Sequence, residues 1–177
     1  HISFTGDHTD NALAAAVLGA VLLAFLMGES SVLVMEKYQL APSLVVPSWF
    51  MNRMRRHVSG SLSEEVCGLL AGDNDGLVRR CYVIENILHR ADRFKMDPKT
   101  QFKALMQIER SRNRLLAIFH SHPDGPPHPS EADLMEYFYP EAYSIIWSRQ
   151  NNVWQCRVFS IDGKSYNEID FRIIRRL

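Results

Sequence analysis

An apolar run, LLAIF at positions 115–119, leads directly into two histidines that stand one residue apart, His120 and His122. A short apolar run bounded by turn-forming residues is typical of a fully buried strand. Successive side chains of a strand point to opposite faces, so the two imidazoles share one face and Ser121 lies on the other. The chain therefore requires a fold in which the end of a buried strand presents two imidazoles to one cleft.

The residues that follow predict a stiff loop and then a helix. The loop PDGPPHP, residues 123–129, is rich in proline, whose ring fixes φ. Ser130 is an N-cap residue type, and Asp133, three positions later, lies on the same face of the predicted helix SEADLMEYF. Such a loop can return Asp133 to the histidines with little ordering cost. His128 and Asp124 are further candidate ligands in the loop.

Two imidazoles and one carboxylate form a donor set for Zn²⁺, which binds histidine nitrogen at about 2.0–2.1 Å. Three protein ligands leave one tetrahedral position open, as in catalytic sites, whereas structural sites fill all four. A water in the open position has its pKa lowered to about 7. The simpler interpretation of Ser130 and Asp133 is a helix cap with an acidic first turn, and the two roles are compatible.

Hydrolysis by such a water needs a base that takes its proton and passes it to the leaving group. Two adjacent acids, Glu64 and Glu65, precede the apolar run VCGLLAG. Their spacing alone does not choose between them. Without the metal motif, both would be read as surface carboxylates at the entrance to a strand.

From Met35 onward the pattern alternates between strands and helices. In chain order it predicts a short strand (SLVV), a helix (SWFMNRMRRHV), a hairpin (EEVCGLLAG and LVRRCYVIE), a helix (DPKTQFKALMQIERSRN), the buried strand described above, the helix SEADLMEYF, and a meander (YSIIWS, VWQCRVFS and SYNEIDFRII). Asp97 and Pro98 are expected to cap and begin the second helix. Its apolar side, Phe102, Leu105, Met106 and Ile108, is expected to lie in the core. The fold class is α/β, with a mixed or antiparallel sheet flanked by helices.

The first 34 residues read differently, because an apolar run extends from Ala12 to Met27. It is shorter than the roughly 20 residues that cross a bilayer comfortably, and acidic residues precede it where a signal peptide carries basic ones. Three interpretations stay open: sequence foreign to the domain, a single membrane anchor, or an extra buried helix. We therefore expect an apolar appendage over residues 1–34 and one domain over residues 35–177.

The charge balance and the cysteines limit the possible partners and compartments. Twenty basic residues balance twenty acidic ones, so no global field draws in nucleic acid or an anionic membrane. The three cysteines, Cys67, Cys81 and Cys156, form no CxxC pair, which favours a reducing compartment such as the cytoplasm. Cys67 lies in an apolar run with no activating neighbour, which argues against a cysteine hydrolase. The H-x-E and P-C-x-x-C motifs of zinc deaminases are absent.

Three separated segments together resemble the JAMM (MPN+) zinc metalloproteases, whose pattern is a Glu before a CGLL-like strand, then H-x-H-P-x(6)-S-x(2)-D. The matching segments are Glu65-Val66-Cys67-Gly68-Leu69-Leu70, His120-Ser121-His122-Pro123 and Ser130-Glu131-Ala132-Asp133. The resemblance spans roughly Val45 to Ile174 and includes RFKMDP, which is typical of small bacterial and archaeal members. It implies a single MPN (JAB) domain, layered as in cytidine deaminases.

The resemblance also implies the role of each residue. The ligands of one Zn²⁺ would be His120, His122 and Asp133. Glu65 would act as the general base and then as the acid that protonates the leaving amine, and Ser130 would hydrogen-bond the oxyanion. The reaction would be hydrolysis of a peptide or isopeptide bond without a covalent enzyme intermediate.

The substrate implied is the Gly-Gly tail of a ubiquitin-like or sulfur-carrier protein, because small prokaryotic members process such tails. An extended tail can add as a strand to an exposed sheet edge. The alternatives are a RadC-like nucleic-acid-associated protein, which the balanced charge disfavours, and a non-catalytic MPN scaffold, which the full ligand set disfavours. The segment from Leu88 to Asp97 is a candidate loop that gates the site.

Overall fold

The computed structural model describes residues 39–163 and 165–175. The strands are β1 (Val45–Pro47), β2 (Cys67–Gly72), β3 (Val78–Ile84), β4 (Arg114–His122), β5 (Tyr143–Gln150), β6 (Val153–Asp162), β7 (Ser165–Glu168) and β8 (Arg172–Ile174). The helices are α1 (Ser48–Ser59), α2 (Pro98–Arg110) and α3 (Glu131–Met135). The expected appendage over residues 1–34, with its boundary at Met35, lies outside the described residues. Within the described ranges, no helix has the length and apolarity that a membrane span requires.

Six strands form one mixed sheet in the order β3-β2-β4-β5-β6-β7. All neighbours are antiparallel except β4 and β5, which run parallel, so the expected α/β class with a mixed sheet is confirmed. The segment SYNEIDFRII was expected to be one strand, and that prediction was wrong. It splits into β7 and β8, and β8 pairs in parallel with β1 in a separate two-stranded sheet. Between them, Ile169 and Phe171 pack against the core, which turns the chain away from the large sheet.

The two faces of the large sheet bury separate cores. On one face α1 packs through residues spaced four apart, as an amphipathic helix should: Phe50, Met54 and Val58. On the other face α2 packs through Ala104 and Ile108. Alternation along β4 supplies both cores, since Phe119 enters the first and Ile118 the second. The central strand is therefore covered on both faces, as its apolar sequence predicted.

Helix α2 begins as expected but buries a different face. The Asp97 carboxylate accepts a hydrogen bond from the backbone N–H of Thr100 at 2.8 Å, which confirms the predicted cap. Phe102 and Met106, however, are 64% and 38% exposed, so their assignment to the core was wrong. At 3.6 residues per turn, a side chain two positions from Ala104 points to the opposite side of the helix. The small Ala104 is the residue that faces the sheet.

We expect Gly68→Ala to destabilise the fold by about 3 kcal/mol, because overpacking forces backbone shifts. Gly68 lies between β3 and β4, where an added Cβ would come within 2.2 Å of the Tyr82 carbonyl oxygen and 2.4 Å of the Phe119 ring. Urea unfolding monitored by circular dichroism measures the change. Gly60→Ala is the matched control: its Cβ would meet nothing closer than 3.4 Å at a right-handed φ of −81°, so its stability should change by less than about 1 kcal/mol. Equal losses in both variants would contradict the packing argument.

Candidate active site

The end of β4 places the two histidines on one face of the sheet, where they are 2% and 3% exposed. His120 lies between Cys67 of β2 and Ile146 of β5. Ser121 points to the other face, and its hydroxyl accepts a hydrogen bond from the backbone N–H of Val66 at 2.9 Å. The same strand end thus carries both imidazoles and fixes the chain beside Glu65.

Asp133 reaches the histidines from α3, which is shorter than the helix SEADLMEYF that the sequence predicted. Ser130 caps this helix: its hydroxyl accepts from the Asp133 N–H at 3.2 Å, and the Asp133 carboxylate accepts from the Ser130 N–H at 2.7 Å. The Ser130 hydroxyl also donates to Asp133 Oδ2 at 2.7 Å. This reciprocal capping box orients the carboxylate toward β4.

Three donor groups, from His120, His122 and Asp133, converge in the interior. The Nε2 atoms of the two histidines are 3.0 Å apart. Asp133 Oδ1 lies 3.1 Å from Nε2 of His120, and Oδ2 lies 3.3 Å from Nε2 of His122. Ligands bound tetrahedrally at about 2.0–2.1 Å are separated by about 3.3 Å. The spacing therefore fits a small divalent cation such as zinc.

The loop after β4 fixes the tautomer of His122. Its Nδ1 lies 2.6 Å from the Pro126 carbonyl oxygen, which can only accept, so Nδ1 carries the proton and Nε2 keeps its lone pair toward Asp133. Gly125 leaves room for the turn, since a Cβ there would lie 3.0 Å from the Cβ of His122. Arg157 Nη1 holds the loop by donating to the Pro127 carbonyl at 3.0 Å.

The electrostatics of the cluster favour the protonation states that bind metal. Burial alone would raise the pKa of the Asp133 carboxyl, but the facing His120, together with the neighbouring His122 and Ser130, holds it well below its ordinary value. Burial lowers the pKa of His120, against the attraction of Asp133. A carboxylate and a neutral imidazole are the forms that ligate metals.

The structure distinguishes the two adjacent acids, Glu64 and Glu65, between which the sequence could not choose. Glu65 is 3% exposed, and its Oε1 lies 3.7 Å from Nε2 of His122. Its Oε2 has no hydrogen-bond partner among the described residues. Burial first, then the charges of Asp133 and Asp92, raise the pKa of Glu65 to about 9. Glu64 instead pairs with His89 on the surface at 2.8 Å.

The segment between β3 and α2, residues 86–97, covers the cluster and is called the covering segment below. The Phe94 ring stacks on the His120 ring with centroids 4.7 Å apart. Arg93 forms an ion pair with Glu136, just after α3. The buried Asn86 side chain donates to the Glu65 carbonyl at 2.9 Å. Sequence reasoning missed Phe94 and Asn86, because an aromatic ring and an amide within a charged connection carry no spacing signal.

The cluster opens into two cavities. The larger, of about 700 Å³, reaches His120 and Asp133 and has aromatic walls that include Phe94 and Tyr139. The smaller, of about 250 Å³, is lined by Glu65, His122, Ser130 and the two segments 91–92 and 124–126. The expected catalytic residues, Glu65 and Ser130, thus both line the smaller cavity, whereas the three expected metal ligands divide between the two.

Some residues of the motif lie apart from the cluster. His128 stacks on Tyr166 with centroids 6.0 Å apart and is not one of the converging donors. Asp124 is exposed at the mouth of the smaller cavity. Cys67 is fully buried, and burial raises the pKa of its thiol to about 12, so it has no thiolate character at neutral pH.

Comparison of the sequence with known proteins finds a matching family and several relatives. The family described as prokaryotic homologs of the JAB domain matches residues 48–160. A desampylase of Pyrococcus furiosus is 32% identical over 123 residues, covering 70% of this chain and 84% of the relative. A probable TtuB-protein conjugate cleaving protease of Thermus thermophilus is 36% identical over 105 residues, covering 58% of this chain and 69% of the relative.

Two solved structures are also similar to this chain. The solution structure of protein DSY2949 from Desulfitobacterium hafniense is 30% identical, with a TM-score of 0.68, and the match covers 76% of this chain and 94% of that one. The solution structure of a protein from Salinibacter ruber, 21% identical with a TM-score of 0.56, has the same fold. The family match extends from α1 to β6 and contains all five residues expected at the site. The chain belongs to the family of prokaryotic homologs of the JAB domain.

Proposed function

We propose that this chain is a zinc-dependent hydrolase that cleaves a peptide or isopeptide bond at the Gly-Gly tail of a ubiquitin-like or sulfur-carrier protein. The observation that carries the proposal is the buried convergence of His120, His122 and Asp133, with the Glu65 carboxyl 3.7 Å from a ligand nitrogen. The names of the similar proteins, which include a protease that cleaves protein conjugates, support this class of substrate.

His120, His122 and Asp133 would hold the zinc, which when bound supplies a Lewis acid that acidifies water and polarises a carbonyl. In the metal-bound protein the nearby positive charge would lower the pKa of Glu65 again, so that its carboxylate would take the proton of the attacking water and deliver it to the leaving amine. Its Oε2 has no hydrogen-bond partner among the described residues, so one oxygen is available for this transfer. Its burial excludes bulk water that would compete for the proton.

Ser130 would supply a hydrogen bond to the oxyanion from the smaller cavity, which it lines together with Glu65. Its hydroxyl proton points at Asp133 Oδ2 in the structure. Rotation of the hydroxyl about the Cβ–Oγ bond would redirect that proton toward the substrate, while Oγ still accepts from the Asp133 N–H and the Ser130 N–H still donates to the same carboxylate. The serine would therefore serve the helix and the reaction in turn.

The dimensions of the smaller cavity support a tail without side chains. It lies between residues 91–92 of the covering segment and residues 124–126 of the loop after β4, and its volume is about 250 Å³. A cavity of this volume has room for an extended glycine pair, which carries no side chains. The described cysteines are all free, which supports a reducing compartment, and we assign the protein to the cytoplasm.

Cleavage of a Gly-Gly-tailed ubiquitin-like protein from a lysine side chain, compared with cleavage of the same protein in a linear fusion, tests the reaction. We expect one zinc per chain, measured by plasma mass spectrometry, in the parent and in Glu65→Gln. The rate should fall by about 100- to 10,000-fold in Glu65→Gln, because the general base is lost. Glu64→Gln, at the neighbouring, partly exposed acid, should cleave like the parent. Full activity in Glu65→Gln, or a parent without zinc in metal-replete medium, would refute the mechanism.

In the metal-free protein we expect Glu65 to make stability fall as the pH rises from about 7 to about 9; below about pH 6.5 the lowered pKa of His120 acts in the opposite direction. Glu65 has a pKa of about 9 in the folded state and an ordinary value of 4.5, so between these the folded state holds the extra proton. Glu65→Gln removes this dependence and should be more stable than the parent at pH 8 by at least about 1 kcal/mol. Urea unfolding with a chelator present measures both, with Glu64→Gln as the control that keeps the parent slope. A parent stability that does not fall over this range would contradict the prediction.

Ser130→Gly should lower kcat by about 100- to 1,000-fold, because a donor to the oxyanion is lost. Glycine is itself an acceptable N-cap, so the loss of stability should be only a few tenths of a kcal/mol. Zinc content should stay at one per chain. If kcat falls only in proportion to zinc content, Ser130 acts on Asp133 alone and its assignment to the oxyanion is wrong.

A further inference from the structure

The two histidines of the cluster are supported in different ways. His122 donates from Nδ1 to the Pro126 carbonyl at 2.6 Å, the usual arrangement for a metal-binding imidazole. Nδ1 of His120 has no hydrogen-bond partner among the described residues, although the side chain is only 2% exposed. No hydrogen bond to the far nitrogen therefore fixes the rotation of the His120 ring about χ2.

A ring contact, and not a hydrogen bond to Nδ1, supports His120. The Phe94 ring lies against the His120 ring at a centroid distance of 4.7 Å and an interplanar angle of 27°. Phe94 is partly buried and packs on the core beneath α2. Offset stacking of two rings is favourable and resists rotation of either ring out of the shared plane.

We propose that Phe94 is the positioning residue of His120, an inference that rests on the zinc site of the proposed function. It holds the imidazole with Nε2 toward Asp133, as the Pro126 carbonyl does for His122. Phe94 touches a ligand but no reacting atom, so it acts on metal affinity rather than on the chemistry itself.

Buried contacts hold Phe94 in place. The Asn86 side chain donates to the carbonyl of Arg93 at 3.2 Å and accepts from the N–H of Lys95 at 2.9 Å, which fixes the residues on both sides of Phe94. Asn86 also donates to the carbonyl of Glu65. The Arg93–Glu136 ion pair is half exposed on both sides and contributes little by comparison. The buried Asn86 side chain therefore fixes the position of Phe94 relative to Glu65.

Zinc affinity, measured on the full chain by competition with a chromophoric chelator, tests the proposal. Phe94→Leu keeps an apolar side chain but removes the flat face, and its affinity should fall by about 10- to 100-fold, as when an outer-shell partner is lost. Phe94→Tyr keeps the face and should bind zinc like the parent. The absorption of bound Co²⁺ should shift in Phe94→Leu alone, because the geometry around His120 changes.

Phe138→Leu is the matched control, since Phe138 lines the same cavity, is 68% exposed and makes no ring contact with a histidine among the described residues. It should leave zinc affinity unchanged. Parent-like affinity in Phe94→Leu, or equal losses in Phe94→Leu and Phe138→Leu, would overturn the inference.

A measurement without metal separates this inference from the proposed function. In the metal-free chain, the ring-carbon protons of His120 should resonate upfield in the parent and in Phe94→Tyr, and should lose that shift in Phe94→Leu. A parent that binds no zinc would refute the proposed function, and the ring-current shift would still decide the contact. An unchanged shift in Phe94→Leu would overturn the inference.

Discussion

The convergence of lone pairs from His120, His122 and Asp133 is the interaction on which the rest of the structure depends. Three donor groups within 3.0–3.3 Å of one another, buried from solvent, repel unless a proton or a cation lies among them. The reciprocal cap at Ser130 and the carbonyl of Pro126 hold two of them in place. The fold thus keeps together an arrangement that is unfavourable by itself, as functional sites commonly do.

Each wall of the site comes from a different kind of constraint. Strand pairing fixes the positions of the two histidines, because β4 lies between β2 and β5 and has a core on either face. The cap of α3 fixes the orientation of Asp133, and the proline-rich loop between β4 and α3 brings Asp133 back to the histidines. Glu65 lies just before β2, where the Ser121 hydroxyl accepts a hydrogen bond from the backbone N–H of Val66. Strand β4 thereby aligns the three converging donor groups with the acid proposed to move the proton.

Local sequence rules predicted most of this arrangement. Apolar runs, alternation and capping residues predicted the order of the elements, a mixed or antiparallel sheet, and the shared face of His120 and His122. They failed where tertiary packing decides: Phe102 looked like core, yet α2 approaches the sheet through the small Ala104. They also could not find the covering segment's role, because Phe94 reaches His120 across a long connection and no periodicity marks such a contact.

The two cavities have a consequence for the traffic of a conjugate through the site. The larger cavity, with its aromatic walls, reaches the donor cluster at His120 and Asp133, and the smaller, partly acidic one reaches it at His122. A conjugate bound across the cluster would place its acyl partner in one cavity and its amine partner in the other. After the bond breaks, the acyl and amine products would each depart by a separate mouth. Neither would have to leave before the other, and turnover would not depend on an ordered release.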